Sequence, residues 1–192
     1  GERRFPDRGE GPAGRPASYT WFVDLDLVFL GTSGSVPTAR RGLAGTLLRR
    51  GGERILVDCG EGTQRQLLRS SVGLVELPEI FLTHYHADHY LGLPGMLKTF
   101  SLRGRETPIA IHGPPGLKEL VGALRRLTGR VGYDVHLDEL RPGQRVERDG
   151  YAIETFPLDH GVSAVGYALV EEPRPFVGHC HRDRPLPALG LE

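Results

Sequence analysis

The segment 84–89 (HYHADH) concentrates side chains that bind metal ions. It follows an apolar run that predicts a buried strand. In extended backbone, side chains two residues apart point the same way, so His84 and His86 can share one ion. Asp88 and His89 come after the expected bend and can address a second ion. Imidazole nitrogen and carboxylate oxygen are common zinc ligands, so the segment predicts a zinc site, with a solvated His-rich loop as the alternative.

Short strands with interspersed helices surround this segment. The predicted strands are 24–30, 43–49, 54–57, 78–83, 108–111, 132–137, 144–148, 151–156 and 163–170, and the predicted helices are 63–70 and 115–128. The second and third strands flank Gly51 and Gly52, which predicts a hairpin. The longer helix repeats apolar residues at i, i+3, i+4 and i+7, with Pro115 at its start and Gly129 after its end.

Composition excludes several classes of protein. The 192 residues include 24 Lys+Arg and 24 Asp+Glu, so the formal net charge is zero, without a polybasic arm or an acidic tail. A hydrophobic content of 39% fits a soluble globular domain with one core. No run approaches the roughly 20 apolar residues of a membrane span, and we expect no membrane partner and a cytoplasmic location. Cys59 and Cys180 are too few for a disulfide framework.

The two ends of the chain differ from its middle. The first 18 residues are rich in Gly, Pro, Arg and Glu, which predicts a flexible tail over residues 1–23. Residues 24–175 carry the regular patterns described above and form the expected folded portion. Residues 176–192 contain several prolines and no clear periodicity, which predicts an irregular end.

Several motifs taken together resemble ribonuclease Z, the endonuclease of the metallo-β-lactamase superfamily that trims tRNA 3′ ends. These motifs are 31–37 (GTSGSVP), 58–64 (DCGEGTQ), 84–89 (HYHADH), 91–95 (LGLPG), 159–161 (DHG) and 166–167 (GY). The resemblance covers residues 24–175. It implies an α/β fold, the αββα sandwich of the superfamily, truncated here after its N-terminal portion.

The resemblance also assigns roles within the site. It implies that His160 completes the nitrogen ligands of the first ion with His84 and His86, and that Asp88 and His89 hold the second. It places Asp58 as a support for the ligands, with capping of the following helix as the alternative. Two zinc ions are implied in a complete subunit, and one here if the last ligands are missing.

The activity implied is removal of the 3′ trailer from precursor tRNA. A metal-activated hydroxide would attack the phosphodiester, Asp88 would orient or deprotonate the attacking water, and the tRNA would keep a 3′-hydroxyl. Because the net charge is zero, RNA contacts must come from clustered cations. The candidates are Arg40, Arg41 and Arg65, followed by Arg69, Arg125 and Arg126, with an ordinary solvated face as the alternative for each. The resemblance further implies a homodimer.

Two other functions remain open at this point. One is a different hydrolase of the same superfamily, such as an arylsulfatase-like or cyclic-phosphodiester hydrolase. The other is a catalytically inactive fragment, because a bridging Asp and a last His ligand of the family have no match in the chain. His179, Cys180, His181 and Asp183 could supply substitute ligands, although a Pro-rich segment is a poor scaffold for them.

Overall fold

The computed structural model describes residues 23–74 and 77–172 of the chain. The expectations for a tail before residue 23, for the irregular end 176–192 and for substitute ligands at 179–183 lie outside these residues. The described elements are β1 (Leu25–Gly31), β2 (Gly45–Arg50), β3 (Glu53–Val57), α1 (Thr63–Arg69), β4 (Glu79–Phe81), α2 (Ala87–Tyr90), α3 (Leu93–Leu102), β5 (Ile109–Gly113), α4 (Leu117–Thr128), β6 (Val135–Glu139), β7 (Arg145–Arg148), β8 (Tyr151–Pro157) and β9 (Val165–Glu171).

The larger sheet has the order β1-β2-β3-β4-β5-β6. Its first three strands are antiparallel, and β3 to β6 run parallel to one another. The hairpin predicted between β2 and β3 is confirmed: Arg50 pairs with Glu53, and Gly51 in the turn has a φ of 56°. Such a positive φ suits glycine, which lacks a Cβ atom. Neighbouring parallel strands need long crossover connections, and the helices supply these connections.

The second sheet is an antiparallel one of three strands, β7-β8-β9. Along the central strands of the larger sheet, successive side chains point to opposite faces, so each face packs against a different layer. Leu56 and Ile80 point into a cluster shared with the helices, whereas Ile55 and Phe81 point into a second cluster shared with Tyr151 of the smaller sheet. The described residues therefore form a layer of helices, the larger sheet and the smaller sheet, in that order. These are three of the four layers of the expected αββα sandwich.

Both helices predicted from sequence are confirmed within two residues, but α3 was not expected. Gly92, Pro94 and Gly95 make its start look like a loop. Proline is tolerated in the first turn of a helix, where its missing N–H is not needed. The helix buries Leu93, Met96, Leu97 and Phe100, and their i, i+3, i+4, i+7 spacing is the signal that identifies it.

The strand predicted at 78–83 is shorter than expected, because β4 covers only Glu79–Phe81. The backbone leaves the ladder after this strand: the N–H of Thr83 donates to the carboxylate of Asp58 at 2.8 Å instead of to a neighbouring strand. This departure turns the following histidines away from the sheet. Within the described ranges, no helix is long and apolar enough to cross a membrane.

Candidate metal centre

Three histidine side chains converge where β4 ends. The Nε2 atom of His84 lies 3.1 Å from Nδ1 of His86 and 3.1 Å from Nε2 of His160, and the last two nitrogens are 3.3 Å apart. Nitrogens around a tetrahedral zinc ion, bonded at about 2.0–2.1 Å, are about 3.3–3.4 Å from one another. The spacing of the three nitrogens therefore fits one ion held between them.

Contacts between the two sheets bring these histidines together. His84 and His86 both follow β4, and His86 has extended backbone with φ −73° and ψ 145°. The hydroxyl of Tyr167 donates to the carbonyl of Leu82 at 2.8 Å, which ties β9 to the end of β4. His160 lies in the connection between β8 and β9, so the same tie carries it to the other two rings.

Asp58 orients His89 directly. Its Oδ2 atom lies 2.7 Å from Nδ1 of His89. A carboxylate only accepts hydrogen bonds, so His89 Nδ1 carries the hydrogen, and in the neutral ring Nε2 keeps its lone pair. That Nε2 atom lies 3.6 Å from Oδ2 of Asp88. The structure thus places Asp88 and His89 side by side, and the His89 ring lies 4.0 Å from that of His84 between centroids.

Asp58 also orients His84, through Thr83. The hydroxyl of Thr83 is 3.0 Å from both oxygens of Asp58, so it donates its hydrogen to that carboxylate. Its oxygen then accepts from Nδ1 of His84 at 2.9 Å, which leaves Nε2 of His84 bare and facing the other two histidines. Thr83 was not among the residues predicted from sequence, because nothing in the order of residues shows that it meets Asp58. The capping alternative for Asp58 is wrong, since the N-cap of α1 is Gly62.

At His84 and Asp88 the electrostatics suit a bound cation, whereas at His89 they favour a proton that an ion must displace. Burial and the neighbouring His89 and His160 lower the pKa of His84 to about 4, so its ring is neutral near pH 7. Burial opposes ionisation of Asp88, but the hydrogen bond from the Ser35 N–H and nearby imidazoles lower the pKa of its carboxyl. For His89, burial lowers the pKa, and the hydrogen bond and charge of Asp58 outweigh it and raise the pKa. Neutral imidazole and ionised carboxylate are the forms that bind metal.

The predicted RNA-contacting arginines divide between two places. Arg40, Arg41 and Arg65 line one open groove of about 670 Å³, and Arg69 lines it as well. Arg125 instead lines a small apolar pocket between α3 and α4, and Arg126 follows it on α4 and lines neither the groove nor the pocket. Four of the six candidate cations are therefore brought together, on the loop after β1 and on α1.

Comparison with known proteins gives a consistent picture. The sequence profile of the metallo-beta-lactamase superfamily matches residues 44–181. A ribonuclease Z of Methanosarcina acetivorans is 42% identical over 168 residues, which are 87% of this chain and 54% of that protein. A ribonuclease Z of Haloferax volcanii is 46% identical over 155 residues, 80% of this chain and 49% of that protein. The chain spans about half the length of these curated relatives.

Solved structures agree with the sequence relatives. The short form of human tRNase Z superposes with a TM-score of 0.69 at 32% identity, over 76% of this chain and 64% of that one. A diphosphatase from the PhnP family superposes with a TM-score of 0.59 at 20% identity, over 74% of this chain and 61% of that one, which shows a shared fold alone. The resemblance noted in the motifs is thereby confirmed.

Proposed function

Because the chain belongs to the metallo-beta-lactamase superfamily, we propose that it carries the metal-binding half of a ribonuclease Z. The complete protein would be a zinc-dependent endoribonuclease that removes the 3′ trailer from precursor tRNA. One observation carries this proposal: three imidazole nitrogens meet beside Asp88 and His89 in a chain 42% identical to a ribonuclease Z.

The proposed roles follow from the donors and their orientation. His84, His86 and His160 hold one ion, and Asp88 and His89 hold the other. A nitrogen-rich set at these separations favours zinc over magnesium or calcium, which prefer oxygen ligands. When bound, two such ions supply a nucleophile at neutral pH and stabilise the charge that develops on the scissile phosphate.

The protein's own groups position and deprotonate the attacking water. The Ser35 N–H holds Oδ2 of Asp88 at 2.7 Å, and the carboxylate fixed in this way orients the water or accepts its proton. Asp58 sets both His84 and His89 in the tautomer that presents a lone pair, one through Thr83 and one directly. The ligands are therefore held in place before substrate arrives, which lowers the cost of assembling the site.

Substrate contact is proposed for the arginine groove. Arg40, Arg41 and Arg65 line it together, and clustered guanidinium groups can neutralise RNA phosphates although the net charge of the whole chain is zero. By the same resemblance to ribonuclease Z, we propose a homodimer that acts on precursor tRNA in the cytoplasm.

Cleavage of an end-labelled precursor tRNA tests the function. The zinc-loaded protein should cut at the base of the trailer and leave a 3′-hydroxyl, and Asp88→Asn should abolish the cut. An aryl sulfate and a cyclic phosphodiester are tested in parallel. Hydrolysis of either one, with intact precursor tRNA, would favour another hydrolase of the superfamily. Zinc binding without turnover of any substrate would favour the inactive alternative.

A further inference from the structure

The loop 32–42 is tied together by its own hydrogen bonds. At its base the N–H of Ser33 donates to the carbonyl of Gly42 at 2.9 Å. Farther along, the N–H of Thr38 donates to the carbonyl of Arg41 at 2.9 Å, and the Thr38 hydroxyl accepts from the Arg41 N–H at 2.9 Å. The loop therefore behaves as one unit, although most of its side chains are exposed.

One backbone group of this loop reaches the candidate metal centre. The N–H of Ser35 donates to Oδ2 of Asp88 at 2.7 Å, across 53 positions of sequence. Ser35 has a φ of 56°, in the left-handed region that residues with a side chain rarely adopt. Strained backbone of this kind persists where surrounding contacts hold it, and it gathers at functional sites.

A second residue with left-handed backbone also lies beside the candidate metal centre. Across residues 23–74 and 77–172, Ser35 and Asp58 are the two non-glycine residues with positive φ. Each one makes a hydrogen bond to a proposed ligand of the second ion, Ser35 to Asp88 and Asp58 to His89. Two independent segments thus adopt unfavourable backbone to fix neighbouring ligands.

We propose that Ser35 is a positioning residue for Asp88. Its backbone N–H holds Oδ2 and fixes the rotation of the carboxylate beside Nε2 of His89. Docking of the loop 32–42 and binding of the second ion are then coupled, and each one favours the other. The role of Asp88 as a ligand rests on the proposed function, whereas its contact with Ser35 is a property of the fold.

The contact is tested first without metal. Lactic acid at position 35 has an ester oxygen in place of the N–H, and Ser35→Ala has the same methyl side chain with the N–H retained. Trypsin cuts after Arg40 and Arg41, so the rate of cleavage there reports how firmly the loop is docked. The ester and Asp88→Ala should each raise this rate severalfold, while Ser35→Ala and the exposed-site control Asp134→Ala should match the parent chain.

The positioning role is tested by zinc titration calorimetry. The ester should weaken the weaker of the two zinc sites about tenfold and leave the tighter, three-histidine site unchanged, as expected for a group that orients a ligand. Parent-like cleavage after Arg40 and Arg41 in the ester, or unchanged affinity at the weaker site, would overturn the proposal, as would a parent chain with a single zinc site.

Failure of this inference can be told from failure of the proposed function. If the ester loosens the loop and weakens the second ion but the protein leaves precursor tRNA intact, the positioning role stands and the substrate is wrong. If precursor tRNA is cleaved and the ester changes neither readout, the positioning role alone is wrong.

Discussion

Nδ1 of His89 donates to Oδ2 of Asp58 at 2.7 Å, and this bond decides which nitrogen of His89 faces the metal centre. The same carboxylate accepts the hydroxyl hydrogen of Thr83, whose oxygen in turn accepts from His84. One buried aspartate, 6% exposed, therefore sets the tautomers of two proposed ligands of two different ions. Its position at the end of β3, beside the end of β4, makes this possible.

Asp58→Asn should disturb His89 most. The hydrogen bond and the charge of Asp58 raise the pKa of His89 against the effect of burial, so the variant should lower that pKa, as measured by NMR titration of the metal-free chain. It should also weaken binding of the second zinc ion about 10- to 100-fold. Asp138→Asn is the matched control, because Asp138 lies 3.4 Å from Nδ1 of a different histidine, His112. An unchanged His89 pKa would contradict this account.

Removing any one of the three clustered histidines should abolish tight binding of the first ion. His84→Ala, His86→Ala and His160→Ala each leave two nitrogens where a tetrahedral zinc site needs three or four ligands. Elemental analysis of the dialysed chain measures the loss. His136→Ala, at an exposed position on β6, should retain the metal content of the parent chain. Full zinc occupancy in all three variants would show that the ion is bound elsewhere.

Local patterns were sufficient for most of the fold. The hairpin at Gly51 and the helix that ends before Gly129 are specified by residues close in sequence, so periodicity and glycine predict them. Helix α3 was missed because Pro94 and Gly95 look like loop residues, and only the buried face made by tertiary packing shows the helix.

The sequence indicated the proposed ligands, and the resemblance placed Asp58 as their support, but Thr83 and Ser35 were missed. Histidine and aspartate side chains in 84–89 indicate their chemistry by type and spacing. Thr83 acts through a contact with Asp58 that spans 25 positions, and Ser35 acts through a backbone N–H across 53 positions. Every residue except proline has a backbone N–H, so sequence type alone carries no signal for that role.

The metal-free chain should lose stability as pH falls from about 6.5 to about 4. Burial and neighbouring imidazoles lower the pKa of His84 to about 4, so the unfolded chain binds a proton there before the folded chain does. The loss is about 2 kcal/mol in the free energy of unfolding, after allowance for water that reaches the cluster. Urea unfolding at several pH values measures it, and His84→Gln should flatten the slope in this window.

His89 makes the opposite contribution in a different window. Its pKa is raised, so its stabilising interaction is fully present below about pH 6.5 and is lost as pH rises through the higher folded-state value. Asp58→Asn should therefore flatten the dependence of stability on pH above about pH 6.5, and His84→Gln should flatten it below that pH. If both variants changed the same pH range, the assignment of the two histidines would be wrong.

Substitutions that remove charge from the arginine groove should weaken RNA binding whatever the base sequence of the RNA. Arg40→Gln, Arg41→Gln and Arg65→Gln each remove one guanidinium from the groove. For each phosphate that is no longer neutralised, the slope of log affinity against log salt should fall in magnitude by about 0.7–0.9. Filter binding of precursor tRNA at several salt concentrations measures the slope. Arg130→Gln, at an exposed position after α4, is the control and should leave the slope unchanged.

Phe81 should be the most sensitive link between the core and the metal centre. It is fully buried, stacks on His112 at 4.3 Å and meets the edge of Tyr167 at 5.0 Å, and it is the last residue of a strand of only three. Phe81→Ala should cost about 3–5 kcal/mol in the free energy of unfolding, because it leaves a cavity between the two sheets.

A comparison of three variants by urea unfolding and zinc titration separates packing from ligand chemistry. Phe81→Leu should recover most of the stability, because it refills much of the cavity. Phe29→Ala, at a side chain 67% exposed on the edge strand, should cost well under about 1 kcal/mol. Since His84 follows Phe81 closely in the chain, zinc affinity should fall with stability in the alanine variant and return with leucine. A stable Phe81→Ala chain with weakened zinc binding would instead mean that Phe81 acts on the ligands without carrying the core.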